Sequence, residues 1–581
     1  MRKLWIIPLL LVFISVANAQ ADLNAKAIDH VRLDIVQSGT LLVTGFTNYA
    51  NLSYYIPQEG VTNVRVTADG DMKWGYTFDG FNNRMILIEW TKISGLINYR
   101  IEMDIENSAK HTSTEKGIGT NDLYLKETKY IIISDEIRQA AFPYEKSMKK
   151  AADLTEFVYN YLTYDLSYVG KNLPSDKVML EKRGVCVEHA NLLTALLRAN
   201  RIPTRYIVGY AYSSVQEKFV GHTWVEILAG DGTWIPLDPT WLEGGYLDAA
   251  HVKSAALLDN SQIDTLTYLG GDIKWTRNEE DIRLIDYTEK PVTSIAVSGT
   301  DRLSSGTYGY VKAVVSANEC VITDLTANSC VNQAGTKQFI IEDSNINTWM
   351  CGTKDVYWLF KTTGNNYICP ISVYDQTGGQ TEFRVTVQGG QSDSTGIFVS
   401  GPDTVSVGET FTLTASTNGF FYSPDFGVAS GKDFTLNIKK SGTYNFYLYY
   451  FGSLYKKTVN VVDVKEFEIF IEAPTQAKIG STFTANVTVK NLLERRTADI
   501  EIKYTNQTIR SSVILEKNGE KKFNLAFTAN TAGQNVLVAT AAGQSITSQS
   551  AVITTGKESG WLDRIIGFFS GLIDGIRRLF S

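Results

Sequence analysis

The stretch HTWVEILAGDGTWIPLD, residues 222–238, reads as a β-hairpin. His222 to Leu228 and Thr233 to Leu237 are rich in β-branched and aromatic residues, and Ala229-Gly230-Asp231-Gly232 between them has the chemistry of a tight turn. With the loop centred on Gly230, His222 stands directly opposite Asp238. Opposed residues of an antiparallel pair share a face, with Cβ atoms about 4.5–5.5 Å apart. The pattern therefore predicts an imidazole within bonding reach of a carboxylate. Glu226 and Asp231 are rival acids, one displaced along the strand and the other in the turn.

Upstream, Thr204 to Tyr212 reads as a further strand, and Cys186 to Asn200 as a helix with Leu192, Leu193, Leu196 and Leu197 at helical steps. Ala151, Leu154, Val158, Tyr161 and Leu162 mark another amphipathic helix. Helices followed by strands make the block 124–285 α+β. Cys186 lies in Arg183-Gly184-Val185-Cys186-Val187-Glu188-His189-Ala190, where the loop gives way to the helix. The positive end of the dipole there favours a thiolate. A lone cysteine is more often a small buried hydrophobe, so the reading needs an imidazole partner. Of the five histidines, His30 and His111 have nothing around them, and His251 in an Ala-rich stretch reads as structural. His189 would make a CxxH metal pair with Cys186, but no further cluster of ligand-type residues accompanies it, and no metal is expected. His222 with Asp238 is the pair that fits a thiol nucleophile.

Taken together, Gly184-Val185-Cys186, the run Leu196 to Tyr210 with Ile202-Pro203, His222-Thr223-Trp224-Val225-Glu226 and Leu237-Asp238-Pro239-Thr240 resemble the transglutaminase-like superfamily of papain-type thiol enzymes. The resemblance covers residues 124–245 and departs from the usual pattern at Asn200-Arg201 and Thr223. It implies Cys186 as nucleophile, His222 as general base and Asp238 as the group that orients it, with acyl transfer from a peptide or glutamine amide through a thioester. Hydrolysis is the expected outcome ahead of cross-linking. Trp224, Tyr210 and Trp241 are weaker candidates for an acyl pocket. The alternative is a catalytically idle surface scaffold or binding protein on the same fold.

The expected fold class is multidomain α+β, a papain-like transglutaminase core between an N-terminal antiparallel β domain and three C-terminal β-sandwich modules. Alternating runs separated by Gly, Asn and Asp place the N-terminal β domain at 20–123 and the catalytic domain at 124–285. A β domain at 286–392 carries Cys320, Cys330, Cys351 and Cys369, which read as two disulfides. Three pairings are possible; Cys320 with Cys330 and Cys351 with Cys369 is the expectation. Pro402 with Gly408-Glu409-Thr410-Phe411-Thr412 recurs as Pro474 with Gly480-Ser481-Thr482-Phe483-Thr484, predicting two tandem Ig-like sandwiches at 393–463 and 464–556.

The ends carry different instructions. Residues 1–19, with Arg2-Lys3, an apolar run and Ala17-Asn18-Ala19, read as a signal peptide. Residues 557–581 form an amphipathic helix: Trp561, Ile565, Phe568, Phe569, Leu572 and Ile576 fall on one side and Asp563, Arg564, Asp574, Arg577 and Arg578 on the other. Such a helix suits a membrane interface. The protein is thus expected outside the cell, secreted or peripherally held at the surface, with a protein or peptide substrate and no cofactor. Lys+Arg of 55 against Asp+Glu of 62 gives a net charge of −7, which excludes the basic face of a nucleic-acid binder.

Overall fold

A computed structural model describes residues 24–556 apart from 143, 262–263, 390–396, 424, 451, 463–465, 494 and 543–545. The expected signal peptide and C-terminal helix lie outside the described residues. The α+β expectation is corrected: among the described residues 62% are strand and 10% helix, with four α-helices. Helices and strands do succeed one another in the central block, but that block is a minor part of a β-rich multidomain chain.

The N-terminal sheet is built on two long strands, β1 (Ile28–Tyr55) and β4 (Arg84–Ser108), paired antiparallel, with β2 (Val61–Ala68) and β3 (Asp71–Phe78) on the far side of β4. Alternate residues such as Val31, Leu33 and Ile35 of β1 are buried, the period of two that a half-covered sheet requires.

The central unit places helix α4 (Cys186–Ala199) against a five-stranded sheet and beneath α1 (Asp135–Ala141), α2 (Met148–Tyr161) and α3 (Ser175–Glu181). Two short parallel strands, β5 (Thr163–Tyr164) and β6 (Arg183–Gly184), bring the chain to the start of α4. The sheet consists of β7 (Thr204–Ser213), β8 (Lys218–Leu228), β9 (Trp234–Asp238), β10 (Glu243–Gly244) and β11 (Val252–Leu257), in the order β10-β9-β8-β7-β11. Leu192, Leu193, Leu196 and Leu197 have no exposure, so α4 is covered on several sides and is a core helix. Each such leucine contributes about 2 kcal/mol by leaving water.

After the central sheet the chain returns to the first one. Strands β12 (Thr265–Leu269), β13 (Asp272–Arg277) and β14 (Asp281–Glu289) all pair with β1, so residues 265–285, expected with the catalytic block, complete the N-terminal sheet.

The cysteine-bearing sheet pairs Tyr308–Ser329 with Asn345–Thr362, and Cys320 stands directly opposite Cys351. The disulfides are Cys320–Cys351 and Cys330–Cys369, which corrects the expected pairing of sequence neighbours. Strand pairing decides it: Cys320 and Cys351 are opposed on adjacent strands, and Cys330, one residue past the end of Tyr308–Ser329, meets Cys369 on the neighbouring strand, with Cα atoms 4.0 and 5.7 Å apart.

The two repeat copies perform the same local task. Gly408 and Gly480 both take left-handed φ, +79° and +80°, at the turn into strands Thr410–Ser423 and Thr482–Asn491. In each copy the short strand before the turn, Thr404–Ser406 or Gln476–Lys478, pairs parallel with the closing strand of its own unit.

Arg198, 2% exposed near the end of α4, donates to the carbonyls of Lys126, Thr204 and Leu258. Burial lowers its pKa to about 10, and the carbonyl fork ties α4 to β7 and to the segment after β11. Arg198→Met strands three acceptors and is expected to lower the stability of the central unit by about 3 kcal/mol. An unchanged urea midpoint would contradict this assignment.

Candidate active site

Cys186 opens α4 because the chain before it is fixed by Glu188, the third residue of the helix. Its carboxylate accepts from the Val185 N–H at 2.9 Å and the Leu173 N–H at 3.1 Å, satisfying a donor that the helix start leaves free. Gly184 is required by close approach: a Cβ there would lie 2.2 Å from Glu188 Cβ. His189 braces the same helix start. Its Nδ1 lies 2.8 Å from the Val185 carbonyl, and burial lowers its pKa, so the ring is a neutral donor bracing the helix start.

The hairpin forms, with a register displaced from the expected one. Val225 opposes Leu237, which centres the loop on Asp231 rather than Gly230. Gly232 takes φ +87°, and Ala229 and Thr233 close a three-residue loop, Gly230 to Gly232. Asp238 is therefore level with Trp224, and His222 is its diagonal neighbour on the same face, still within reach of a long side chain. His222 Nε2 lies 2.8 Å from Asp238 Oδ2. That leaves Nδ1 for the Cys186 thiol, which interacts with the same ring. His222 is 3% exposed, Asp238 0% and Cys186 9%.

Electrostatics hold this pair in its charged form. Burial works against a charged His222, yet Asp238 and Cys186 carry its pKa up to about 9. Burial likewise works against the Asp238 carboxylate, but His222 and His251 keep it well below the usual carboxylate range. The Thr240 N–H, 2.7 Å from Oδ1, fixes the other oxygen.

The rival acids are occupied elsewhere. Glu226 is paired with Arg205 and with Lys253, and Asp231 with Lys116 at the exposed turn. Among the weaker candidates, Trp241 stacks on His222 with ring centroids 4.1 Å apart and an interplanar angle of 10°. Trp224 lies 6.1 Å from the same ring. Tyr210 is not brought to the site: it pairs with Gly221, one step from the Gly209–His222 pair, and its hydroxyl accepts from Gln37 of β1 at 2.9 Å.

Two residues were missed. Tyr164 interacts electrostatically with Cys186, and its pKa is pushed up to about 12, first by burial and then by that neighbour. Only the two-residue β5–β6 pairing brings it there, and so short a strand leaves no periodicity. His251, read as structural, places Nε2 3.2 Å from the same Asp238 oxygen that holds His222. Among the described residues, His222, Asp238 and His251, and likewise Glu243, Asp248 and His251, put ligand-type atoms within 4.8 Å of one another. These are the groups that could hold a cation, and their polar atoms also face one another in ion pairs.

Residues 134–239 match the family model described as the transglutaminase-like superfamily. This segment is similar to the transglutaminase-like core. Members of that superfamily are cysteine enzymes that act on protein or peptide substrates. An uncharacterized protein of Mycobacterium tuberculosis is 28% identical over 123 residues, 19% of this chain and 39% of that protein. The protein-glutamine gamma-glutamyltransferase of Pseudomonas aeruginosa is 27% identical over 154 residues, 24% of this chain and 23% of that one. The chain thus spans well under half of the length of these relatives. Among solved structures, a candidate cysteine protease of Cytophaga hutchinsonii aligns over 45% of this chain and 93% of its own, at 19% identity and a TM-score of 0.35.

Gly184→Ala drives a methyl group into Glu188 and should displace the start of α4. The expected cost is about 2 kcal/mol, with slower alkylation of Cys186 by iodoacetamide. Wild-type stability together with a wild-type alkylation rate would contradict the close approach.

Proposed function

We propose that this chain is an exported, cysteine-dependent acyl-transfer enzyme that acts on peptide or glutamine amides through Cys186, His222 and Asp238. The observation that supports it most is the buried His222, held by Asp238 through Nε2 with the Cys186 thiol against the rest of the ring. His222, held in its charged form, carries the proton that the thiol gives up, and the sulfur attacks the amide carbonyl carbon. The oxyanion develops beside the free N–H groups at the start of α4. As the C–N bond breaks, His222 protonates the departing amine and a thioester remains on Cys186. Asp238 fixes the ring tautomer and stabilises its cation.

Water then enters, gives a proton to His222 and releases the acid. Hydrolysis is favoured here on the resemblance to superfamily peptidases and amidases. The name of the Pseudomonas aeruginosa relative supports the other acceptor, a primary amine that yields a cross-link. Export is supported by the sequence of residues 1–19 and by the two disulfides, which persist in oxidising compartments. The amphipathic sequence of residues 557–581 supports attachment at a membrane surface.

Mass spectrometry after incubation with a glutamine-containing peptide, with and without a primary amine, tests the reading. Backbone cleavage or exchange of ammonia for water is expected, and Cys186→Ala should abolish it. Amine incorporation would instead identify cross-linking, and activity that survives in Cys186→Ala would overturn the proposal. Asp238→Asn leaves the ring without its counter-charge and should reduce kcat/KM by roughly 10²–10⁴-fold. Because the leaving amine needs the His222 proton, acylation should decline as pH rises through about 9. A profile that is flat through that range would contradict the role given to His222.

A further inference from the structure

Behind the proposed triad the buried polar chain continues. Asp238 Oδ2 accepts from His222 at 2.8 Å and faces His251 Nε2 at 3.2 Å, so one oxygen is shared by two imidazoles. On its other side, His251 Nδ1 lies 3.2 Å from Asp248 Oδ1, an ion-pair contact without hydrogen-bond geometry. Glu243 completes the cluster: its Oε2 faces the Asp248 N–H at 3.4 Å, and its Oε1 has no protein partner. His251, Asp248 and Glu243 are each no more than 3% exposed. His251 also sits in an aromatic frame, edge-on to Trp224 at 5.3 Å and to Trp241 at 5.5 Å, the two rings that flank His222.

We propose that His251 is a positioning residue, held by Asp248, that orients the Asp238 carboxylate and divides its charge between two rings so that His222 can release its proton. This rests on the acyl-transfer reading of Cys186, His222 and Asp238. An Asp238 engaged by His222 alone would spend its whole charge on that ring and make a poor proton donor of it. A second cationic ring on the same oxygen, its centroid 5.5 Å from that of His222, opposes that excess.

The surroundings agree on the charge of His251. Burial disfavours its cation, yet Asp248, Asp238 and Glu243 hold its pKa well above the ordinary histidine value. Burial, reinforced by Asp248, raises the pKa of Glu243, which works against a second negative charge beside His251. The titratable groups facing the two rings are Cys186 and His189 from α4, Asp238 from β9, Glu243 from β10 and Asp248 from the loop before β11. Lys26 approaches from the N-terminal segment, acting on Glu243 and donating to the Trp241 carbonyl.

The test is an NMR titration of the full-length protein with histidine rings labelled at Cε1, the five signals being assigned by single substitutions. In His251→Phe, which keeps a ring in the frame but removes charge and donor, the His222 inflection should move up by about one pH unit or more. His251→Gln keeps an N–H at the position of Nε2 without the charge. It should show the same upward shift, with kcat recovered relative to His251→Phe because Asp238 is again held. A purely structural His251 would lower stability or kcat and leave the inflection where it is, and that result in the folded variants would overturn the proposal. Should His251→Phe not fold, His251→Gln carries the same test. The titration needs no turnover, so a shift that appears while Cys186 performs no chemistry would sink the acyl-transfer reading alone, and an absent shift in an active enzyme would sink only this one.

Discussion

One oxygen atom organises this site. Asp238 Oδ2 has been taken out of water and given two imidazole partners, and a carboxylate so buried is tolerated only because it is paired. Its charge settles the state of His222, and His222 is what the thiol of Cys186 meets. The sheet register, the α4 start and the loop carrying Trp241 are all means of keeping that oxygen dry and those rings in place. Removing one partner leaves the carboxylate to the other ring alone, so the charge state of each ring depends on both.

The β framework around the core serves the same end. Gly244 and Gly245, just after Glu243, pack directly against Ile322 and the Cys320 backbone of the cysteine-bearing sheet. The Cys320 N–H also donates to the Thr112 carbonyl at 2.7 Å. Lys26 reaches from the N-terminal segment to the Trp241 carbonyl and to Gln376. The loop that covers His222 is thereby gripped from both flanks, and the Cys320–Cys351 bond stiffens one of them. The accessory β units close to the core therefore belong to the structure of the site.

Much of the site was legible because it depends on short-range rules. A cysteine at a helix start, and a histidine and an aspartate on the arms of one hairpin, can be read from period and turn chemistry. The loop centres on Asp231 rather than Gly230, which moves every opposed pair by two residues, and a shift of two keeps His222 and Asp238 on one face. What escaped depends on distant chain. His251 returns to Asp238 only after the loop through Glu243 and Asp248, Tyr164 arrives on a two-residue strand, and the disulfide partners are set by strand neighbours. The α+β reading of the whole chain came from weighting the central helices, and strands 265–289, which look like a continuation of that block, find their partners on β1.

The coupling between sulfur and ring can be measured directly as the rate at which iodoacetamide alkylates Cys186 at neutral pH, in the wild type and in His222→Ala, with unfolded protein as the reference thiol. A proton-accepting His222 predicts native Cys186 alkylating well above the unfolded thiol, with a fall of roughly a hundredfold in the variant. Equal rates in the two folded proteins would mean that the ring does not serve the sulfur, and would contradict the account at its centre.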